Sequence, residues 1–172
     1  MTPAARRALL DALTRRYEID TRRVYVAGLS NGGLMTYRAG CALSGRLAAI
    51  GPVAAWFPPC RPKHPVSVVH VHGLDDGVLL FAGGSGYPSV ERGLARWRAS
   101  DGCPRSAAVV RAGEVTHTAW EPCRRGTAVE LYTIDTGRHE WPGAEPKPGN
   151  DPVSDTLDAT GVLWSFFQAH SS

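Results

Sequence analysis

The sequence predicts an α/β fold in which helices flank a mostly parallel β-sheet. Short apolar runs alternate with segments of helical periodicity, which is the pattern of parallel strands joined by crossover helices. The early runs are apolar at successive positions, as expected for strands that are buried on both faces. The 172 residues contain no internal repeat and no linker-like segment. We therefore expect one domain over residues 1–172.

The first half of the chain shows this alternation most clearly. Pro3 suits the first turn of a helix, and apolar residues at helical spacing continue that helix to Tyr17. A buried strand follows, and a sharp glycine-containing turn separates it from the next helix. The elements predicted for this half are a helix over 3–17, a strand over 23–28, a helix over 31–43, and strands over 47–55 and 66–72.

The second half contains longer loops. Residues 73–87 are predicted to form a glycine-rich loop, after which Pro88 and Ser89 open a helix. Two alternating segments, 115–120 and 128–134, are predicted strands, and residues 137–151 form a loop rich in proline and glycine. The last helix is expected over 155–168, with Asp155 and Asp158 in its first turn. Its predicted buried residues are Leu157, Leu163, Trp164 and Phe167.

Charge and hydropathy favour no macromolecular partner. The net charge is only +3, and the arginines are scattered in pairs along the chain. We therefore expect no nucleic-acid binding. No apolar run approaches the roughly 18 residues of a membrane span. The first ten residues lack the apolar stretch of a signal peptide.

The four cysteines favour disulfides over a metal site. They stand at Cys41, Cys60, Cys103 and Cys123, without the C-x-x-C spacing of zinc ligands. Three pairings are possible, and pairing neighbours in sequence, Cys41 with Cys60 and Cys103 with Cys123, is the most economical. Disulfides indicate an oxidising compartment.

The most informative motif is G-x-S-x-G at residues 28–32. It lies between a predicted strand and a predicted helix, the context in which this motif forms a nucleophile elbow. We expect Gly28 and Gly32 to let neighbouring backbone pass without a Cβ clash, and the amide of Asn31 to face a developing oxyanion. The alternative is that Ser30 is an ordinary helix N-cap.

Possible partners of Ser30 follow two later strands. Asp75 and Asp76 come after the strand at 66–72, and His139 comes after the last strand. The carboxyl ends of parallel strands meet at one edge of a sheet, and the order Ser, Asp, His is that of an α/β-hydrolase triad. An alternative is a metal-dependent hydrolase that uses His70 and His72, but the spacing to the aspartates does not match that of metal ligands.

Taken together, these motifs resemble the polyhydroxybutyrate depolymerase and feruloyl esterase family of secreted α/β-hydrolases. The family motifs stand here as Arg-Val-Tyr at 23–25, Gly-Leu-Ser-Asn-Gly-Gly at 28–33, His-Gly-Leu-Asp-Asp at 72–76, His-Glu-Trp-Pro-Gly at 139–143 and Trp-Ser-Phe-Phe at 164–167. The resemblance implies a serine esterase without a cofactor or metal. It assigns Ser30 as nucleophile, Asp76 rather than Asp75 as acid, and His139 as base. It also supports disulfides and an extracellular location.

Three departures from the family pattern qualify these expectations. Arg138 replaces the glycine before the histidine, and the loop after Asp76 reads Val-Leu-Leu-Phe where the family has a proline. The family's N-terminal region, with its signal peptide, first strands and second oxyanion-hole amide, has no counterpart. We therefore expect the C-terminal portion of an α/β-hydrolase fold, in which the strand at 23–28 is an exposed edge that favours self-association.

The sequence thus predicts hydrolysis of carboxylic esters through Ser30, Asp76 and His139. Aromatic residues after strand ends are expected to line an apolar cleft for the acyl group, either a feruloyl unit or a hydroxybutyrate chain. These predicted substrate contacts are Trp56, Phe57, Phe81 and Trp141. The competing hypothesis is a non-catalytic remnant or interaction fragment that lacks half of the oxyanion hole.

Overall fold

A computed structural model describes residues 3–145 and 153–171. The helices are α1 (Pro3–Arg16), α2 (Asn31–Ala42), α3 (Val90–Asp101) and α4 (Ala159–Ala169). The strands are β1 (Tyr25–Leu29), β2 (Ala49–Val53), β3 (Ser67–Gly73), β4 (Ala108–Ala112), β5 (Val115–Trp120) and β6 (Val129–Ile134). None of the described helices is long and apolar enough to cross a membrane.

The six strands form one sheet in the order β1-β2-β3-β6-β5-β4. The pairs β1–β2, β2–β3 and β3–β6 are parallel, and β5 and β4 add antiparallel strands beyond β6. The prediction of a mostly parallel sheet with flanking helices is therefore confirmed. In the described part of the chain, β1 forms one edge of the sheet and β4 the other.

The core lies on both faces of the sheet, as the apolar runs predicted. β2 and β3 are buried at every position. One cluster packs α2 and α3 against one face and centres on Tyr37, Trp97, Leu94 and Ile50. The second cluster packs α4 against Val53, Val69 and Val71. The central strands are thus fixed by packing on both sides, which makes their carboxyl ends a rigid base for loops.

Several predicted elements differ from the structure in their limits. β4 was not predicted, because all five of its residues are exposed and show no apolar face. The last helix begins at Ala159 rather than at residue 155, since the side chain of Asp158 accepts a bond from the amide of Gly161 and caps the helix. Trp164 on that helix is 56% exposed, so its predicted burial is wrong. Residues 146–152 of the predicted loop lie outside the described residues.

Both disulfides form with the predicted pairing. Cys41 at the end of α2 is joined to Cys60, with 6.1 Å between their Cα atoms. Cys103 after α3 is joined to Cys123 before β6, with Cα atoms 4.1 Å apart. The first bridge connects α2 to the segment between β2 and β3, and the second connects α3 to the β5–β6 turn.

Candidate active site

Ser30 occupies a strained position between β1 and α2. Its backbone has φ 57° and ψ −119°, a region that residues with a side chain rarely enter. The amide of Ser30 donates to the carbonyl of Val53 at the end of β2 (3.0 Å), which holds the turn against the sheet. The side chain of Ser30 makes no capping bond to α2. The ordinary N-cap interpretation is therefore wrong, and the hydroxyl is held in a tight strand-to-helix turn.

The turn depends on glycines at two of its positions. A Cβ at Gly28 would lie 2.6 Å from the carbonyl carbon of Gly32, and one at Gly33 would lie 2.5 Å from the Cβ of Ala55. Both values are below any ordinary contact distance. A Cβ at Gly32 would meet nothing within 4 Å. The prediction for Gly28 is confirmed, whereas the close approach expected at Gly32 is found at Gly33 instead.

Asp76 and His139 meet directly, although 62 residues lie between them in sequence. Oδ2 of Asp76 accepts a hydrogen bond from Nδ1 of His139 (2.8 Å). Asp76 is only 1% exposed. Asp75, the neighbouring alternative, is exposed. With Nδ1 donating to the carboxylate, Nε2 of a neutral His139 is left as the basic nitrogen. The structure thus gives Asp76, and not Asp75, the bond to His139.

The other oxygen of Asp76 is held by the backbone of its own loop. Oδ1 accepts from the amides of Val78 (2.9 Å) and Leu79 (2.8 Å). These two donors were not predicted from the sequence. An aspartate followed by amides two and three residues on is the pattern of an Asx-turn, which would have indicated them. The departure from the family pattern in this loop is therefore compatible with a firmly held carboxylate.

Two glycines bring the loops after β3 and β6 together. A Cβ at Gly73 would lie 2.0 Å from the carbonyl oxygen of Gly137, so only glycine fits there. The amide of Leu74 donates to Ile134, and the amide of Asp75 donates to Gly137. These contacts place the segment containing Asp76 beside the one containing His139.

The predicted nucleophile, acid and base all follow strands that end at the same edge of the sheet. Ser30 follows β1, Asp76 follows β3 and His139 follows β6, and these strands run parallel within one sheet. The amide of Asn31 lies in the first turn of α2, where an N–H has no acceptor within the helix. Among the described residues, the hydroxyl of Ser30 has no hydrogen-bond partner. The structure therefore joins Asp76 to His139 and shows no hydrogen bond between His139 and the hydroxyl of Ser30.

The predicted substrate contacts have different surroundings. Phe57 is 4% exposed and packs edge-on against Tyr37 and Trp97, so its prediction as a substrate contact is wrong: it is a core residue. Trp56 is partly buried and stacks on Tyr87. Phe81 and Trp141 are also partly buried, Phe81 beside the imidazole of His72 and Trp141 bonded to Thr160 of α4.

His70 and His72 do not form an open ligand pair. They share one strand face, as predicted, and their rings stack 5.3 Å apart. Each of their four ring nitrogens lies within hydrogen-bond distance of a protein atom. In the described part of the chain, no group of three or more His, Cys, Asp or Glu side chains is arranged to hold a metal ion. The two imidazoles in this arrangement are committed to hydrogen bonds.

Comparison with solved structures identifies the class of fold. The crystal structure of a thermostable esterase superposes on 98% of this chain with a TM-score of 0.59 and 19% sequence identity, and the match covers 36% of that chain. Together with the parallel sheet and its helices, this likeness defines an α/β-hydrolase fold.

Sequence comparison finds similarity to named esterases. The chain is 32% identical over 145 residues, 80% of its length, to a bifunctional acetylxylan esterase/xylanase of Neocallimastix patriciarum. It is 29% identical over 94% of its length to a probable feruloyl esterase C of Aspergillus flavus. No family model matches. The chain is therefore similar in sequence to proteins named as acetylxylan and feruloyl esterases. It spans 21% and 57% of the lengths of these two relatives.

Proposed function

We propose that the chain hydrolyses carboxylic esters through Ser30, His139 and Asp76. The observation that carries this proposal is the Asp76–His139 hydrogen bond, which lies at the same sheet edge as the strained turn of Ser30. The amides of Val78 and Leu79 hold Oδ1 of Asp76, and Oδ2 of Asp76 orients the imidazole of His139. Relatives named as esterases support the same reaction class.

The proposed reaction has two half-steps. In the first, Oγ of Ser30 attacks the ester carbonyl carbon while its proton passes to Nε2 of His139. The amide of Asn31 donates to the resulting oxyanion. The intermediate then collapses, the alcohol leaves with the proton from His139, and an acyl-serine remains. In the second half-step, His139 takes a proton from water, and the water oxygen attacks the acyl carbon. The bond from that carbon to Oγ of Ser30 then breaks, Oγ regains its proton from His139, and the acid is released. Asp76 stabilises the imidazolium in both half-steps.

The surface beside Asp76 supports an ester with an apolar part. Leu74, Val78 and Leu80 are 42%, 63% and 45% exposed, in the loop that holds the carboxylate. Trp56 and Tyr87 stack close to the end of this loop. An exposed apolar rim of this kind suits an aromatic acyl group or an aliphatic polyester. The names of the relatives favour a feruloyl or acetyl ester of a polysaccharide over a polyhydroxybutyrate chain.

The reaction and its substrate class are tested by one set of assays. We expect hydrolysis of methyl ferulate or p-nitrophenyl acetate, and a loss of at least about 10³-fold in kcat for Ser30→Ala. Ser165→Ala, at an exposed position of α4, is the matched control and keeps full turnover. Faster hydrolysis of hydroxybutyrate oligomers than of methyl ferulate would favour the polyester. Full turnover in Ser30→Ala would refute the proposed nucleophile.

A second proposal is an interaction fragment, and the edge of the sheet favours it. β1 lies at one end of the strand order, and Leu9, Leu13 and Tyr17 in and after α1 are exposed. An unpaired strand edge can accept a strand from another chain, including a second copy, and exposed apolar side chains can add to such a contact. This proposal predicts concentration-dependent association together with absence of turnover, and the assays above distinguish it from the first.

The two disulfides support an extracellular or otherwise oxidising location. Both bridges are formed, and the described residues contain no free cysteine. Such bridges persist in oxidising compartments and are rare where thiols are kept reduced.

A further inference from the structure

A row of buried polar side chains runs from the core to Asp76. The hydroxyl of Tyr37 lies 2.7 Å from Nδ1 of His70, and Nε2 of His70 lies 3.1 Å from Nδ1 of His72. Nε2 of His72 lies 2.8 Å from the carbonyl oxygen of Leu79 and 3.4 Å from Oδ2 of Asp76. Tyr37, His70 and His72 are each at most 1% exposed. The proposed reaction uses none of these three side chains.

The direction of every hydrogen bond in the row follows from the carbonyl of Leu79. A carbonyl oxygen only accepts, so Nε2 of His72 carries a proton. Burial lowers the pKa of both imidazoles, so each ring is neutral and carries one proton. Nδ1 of His72 is therefore an acceptor, and Nε2 of His70 donates to it. Nδ1 of His70 then accepts from the hydroxyl of Tyr37, whose pKa is raised by burial.

The opposite tautomers would place hydrogen-bond acceptors against each other. If Nδ1 of His72 carried the proton, the lone pair of its Nε2 would face the carbonyl of Leu79 and the carboxylate of Asp76. The carbonyl of Leu79 and the carboxylate of Asp76 exclude this arrangement, because both groups only accept. The hydroxyl of Tyr37 then supplies the donor for Nδ1 of His70. One hydroxyl in α2 thus completes the row whose other end faces Asp76 at the end of β3.

His72 also holds the loop that holds Asp76. The Nε2–H of His72 donates to the carbonyl of Leu79, and the backbone amide of Leu79 donates to Oδ1 of Asp76. Nε2 of His72 also lies 3.4 Å from Oδ2 of Asp76, the oxygen that accepts the hydrogen bond from His139. The position of both carboxylate oxygens therefore depends on the tautomer of His72.

We propose that Tyr37, His70 and His72 form a positioning chain that holds the Nε2–H of His72 toward Leu79 and Asp76 and thereby orients Asp76 toward His139. The three residues are positioning residues and touch no reacting atom. This inference deepens the proposed ester hydrolysis and rests on it for its effect on turnover. The tautomers of His70 and His72 can be measured whether or not the protein hydrolyses esters.

The first test reads the tautomers of the unmodified protein. Long-range ¹H–¹⁵N spectra of the ¹⁵N-labelled imidazoles distinguish a protonated nitrogen from a bare one. We expect Nε2–H and bare Nδ1 in both His70 and His72. A proton on Nδ1 of His72 would overturn the proposal, whether or not the protein hydrolyses esters. Absence of ester hydrolysis with the expected tautomers would refute the proposed function and leave the tautomer assignment intact.

The second test removes single hydroxyls. Tyr37→Phe keeps the ring that packs on Phe57 and Trp97 and removes only the donor to His70. Tyr25→Phe is the matched control, because it removes a tyrosine hydroxyl that donates to the carbonyl of His170 (2.9 Å), away from the positioning chain. We expect a shifted Nδ1 resonance of His70, which loses its donor, and about a tenfold lower kcat with unchanged KM in Tyr37→Phe alone. The same spectrum and kcat in both variants would overturn the proposal.

A pair of substitutions at His72 covers the case in which Tyr37→Phe does not fold. In His72→Gln the side-chain amide can still donate toward Leu79 and Asp76, whereas His72→Leu has no donor. We expect kcat to fall by about 100-fold in His72→Leu and to recover most of that loss in His72→Gln, with KM unchanged in both. Equal kcat in the two variants would contradict a role for the His72 donor.

Discussion

At the scale of single residues, this protein buries polar groups next to its core and satisfies most of them. Asp76 receives two amides and one imidazole N–H at normal hydrogen-bond distance. Asp101 is a second buried carboxylate, at the end of α3. Its Oδ2 accepts from the amide of Val66 and from Nε1 of Trp97, while Oδ1 has no partner among the described residues. Burial raises the pKa of Asp101 to about 6.

Asp101 should make the stability of the fold depend on pH. The folded protein binds a proton at Asp101 more tightly than the unfolded chain, whose aspartates titrate near 3.8. Its contribution is therefore fully present below about pH 4 and is lost as the pH rises to about 6. The shift of about two units corresponds to roughly 3 kcal/mol. We expect the difference in the free energy of unfolding between wild type and Asp101→Asn to change by up to that amount between pH 4 and 7.

Urea unfolding of the two proteins at pH 4, 5, 6 and 7 measures this difference. Asparagine keeps an oxygen that can accept from Val66 and Trp97 but does not titrate, so other acidic groups cancel in the comparison. A constant difference over the whole range would mean that Asp101 has an ordinary pKa.

At the scale of elements, the strand–turn–helix unit around Ser30 depends on where glycine is required. A Cβ at Gly28 meets backbone atoms of Gly32 at 2.6 and 2.7 Å, whereas a Cβ at Gly32 meets nothing. We expect Gly28→Ala to lower the free energy of unfolding by several kcal/mol, since backbone must move. Gly32→Ala, four residues away on the same turn, is the control and should be neutral or stabilise α2 by up to about 1 kcal/mol. Thermal unfolding of both variants provides the measurement, and equal losses would contradict this account of the turn.

The helices, strands and turns also show what local patterns in the sequence can and cannot predict. The elbow at Ser30, the order of Ser30, Asp76 and His139, and the parallel strands follow from short motifs and apolar runs. β4 was missed because its exposed residues carry no alternation that a pattern could detect. Phe57 was assigned to the site because it follows a strand, whereas contacts from α2 and α3 place it in the core.

The positioning chain illustrates the limit of prediction from sequence. The His70-x-His72 spacing correctly predicted that both rings share a face of β3. The partner of His70 is Tyr37, which comes from α2 and is 33 residues away in sequence. Its approach depends on how α2 packs across the sheet, and no local pattern contains that information. The same spacing, taken alone, suggested a metal-dependent hydrolase.

At the scale of the whole molecule, the disulfides tie peripheral segments to a sheet that is otherwise held by apolar packing. Each bridge closes a loop of about 20 residues, with sequence separations of 19 and 20. We expect removal of either bridge, by the pairs Cys41→Ser with Cys60→Ser or Cys103→Ser with Cys123→Ser, to cost about 3 kcal/mol. Urea midpoints with and without reductant measure the effect. An unchanged midpoint in reductant would show that the bridges do not contribute to stability.

The whole account rests on Ser30 being a nucleophile activated by His139. The most direct measurement is the rate of labelling by a serine-directed fluorophosphonate, with the labelled residue mapped by mass spectrometry. We predict a single label on Ser30 in the wild type, none on Ser30→Ala, and labelling of His139→Ala slower by about 10³-fold or more. Labelling of a different serine, equal rates in wild type and His139→Ala, or no labelling of the folded wild type would contradict the account.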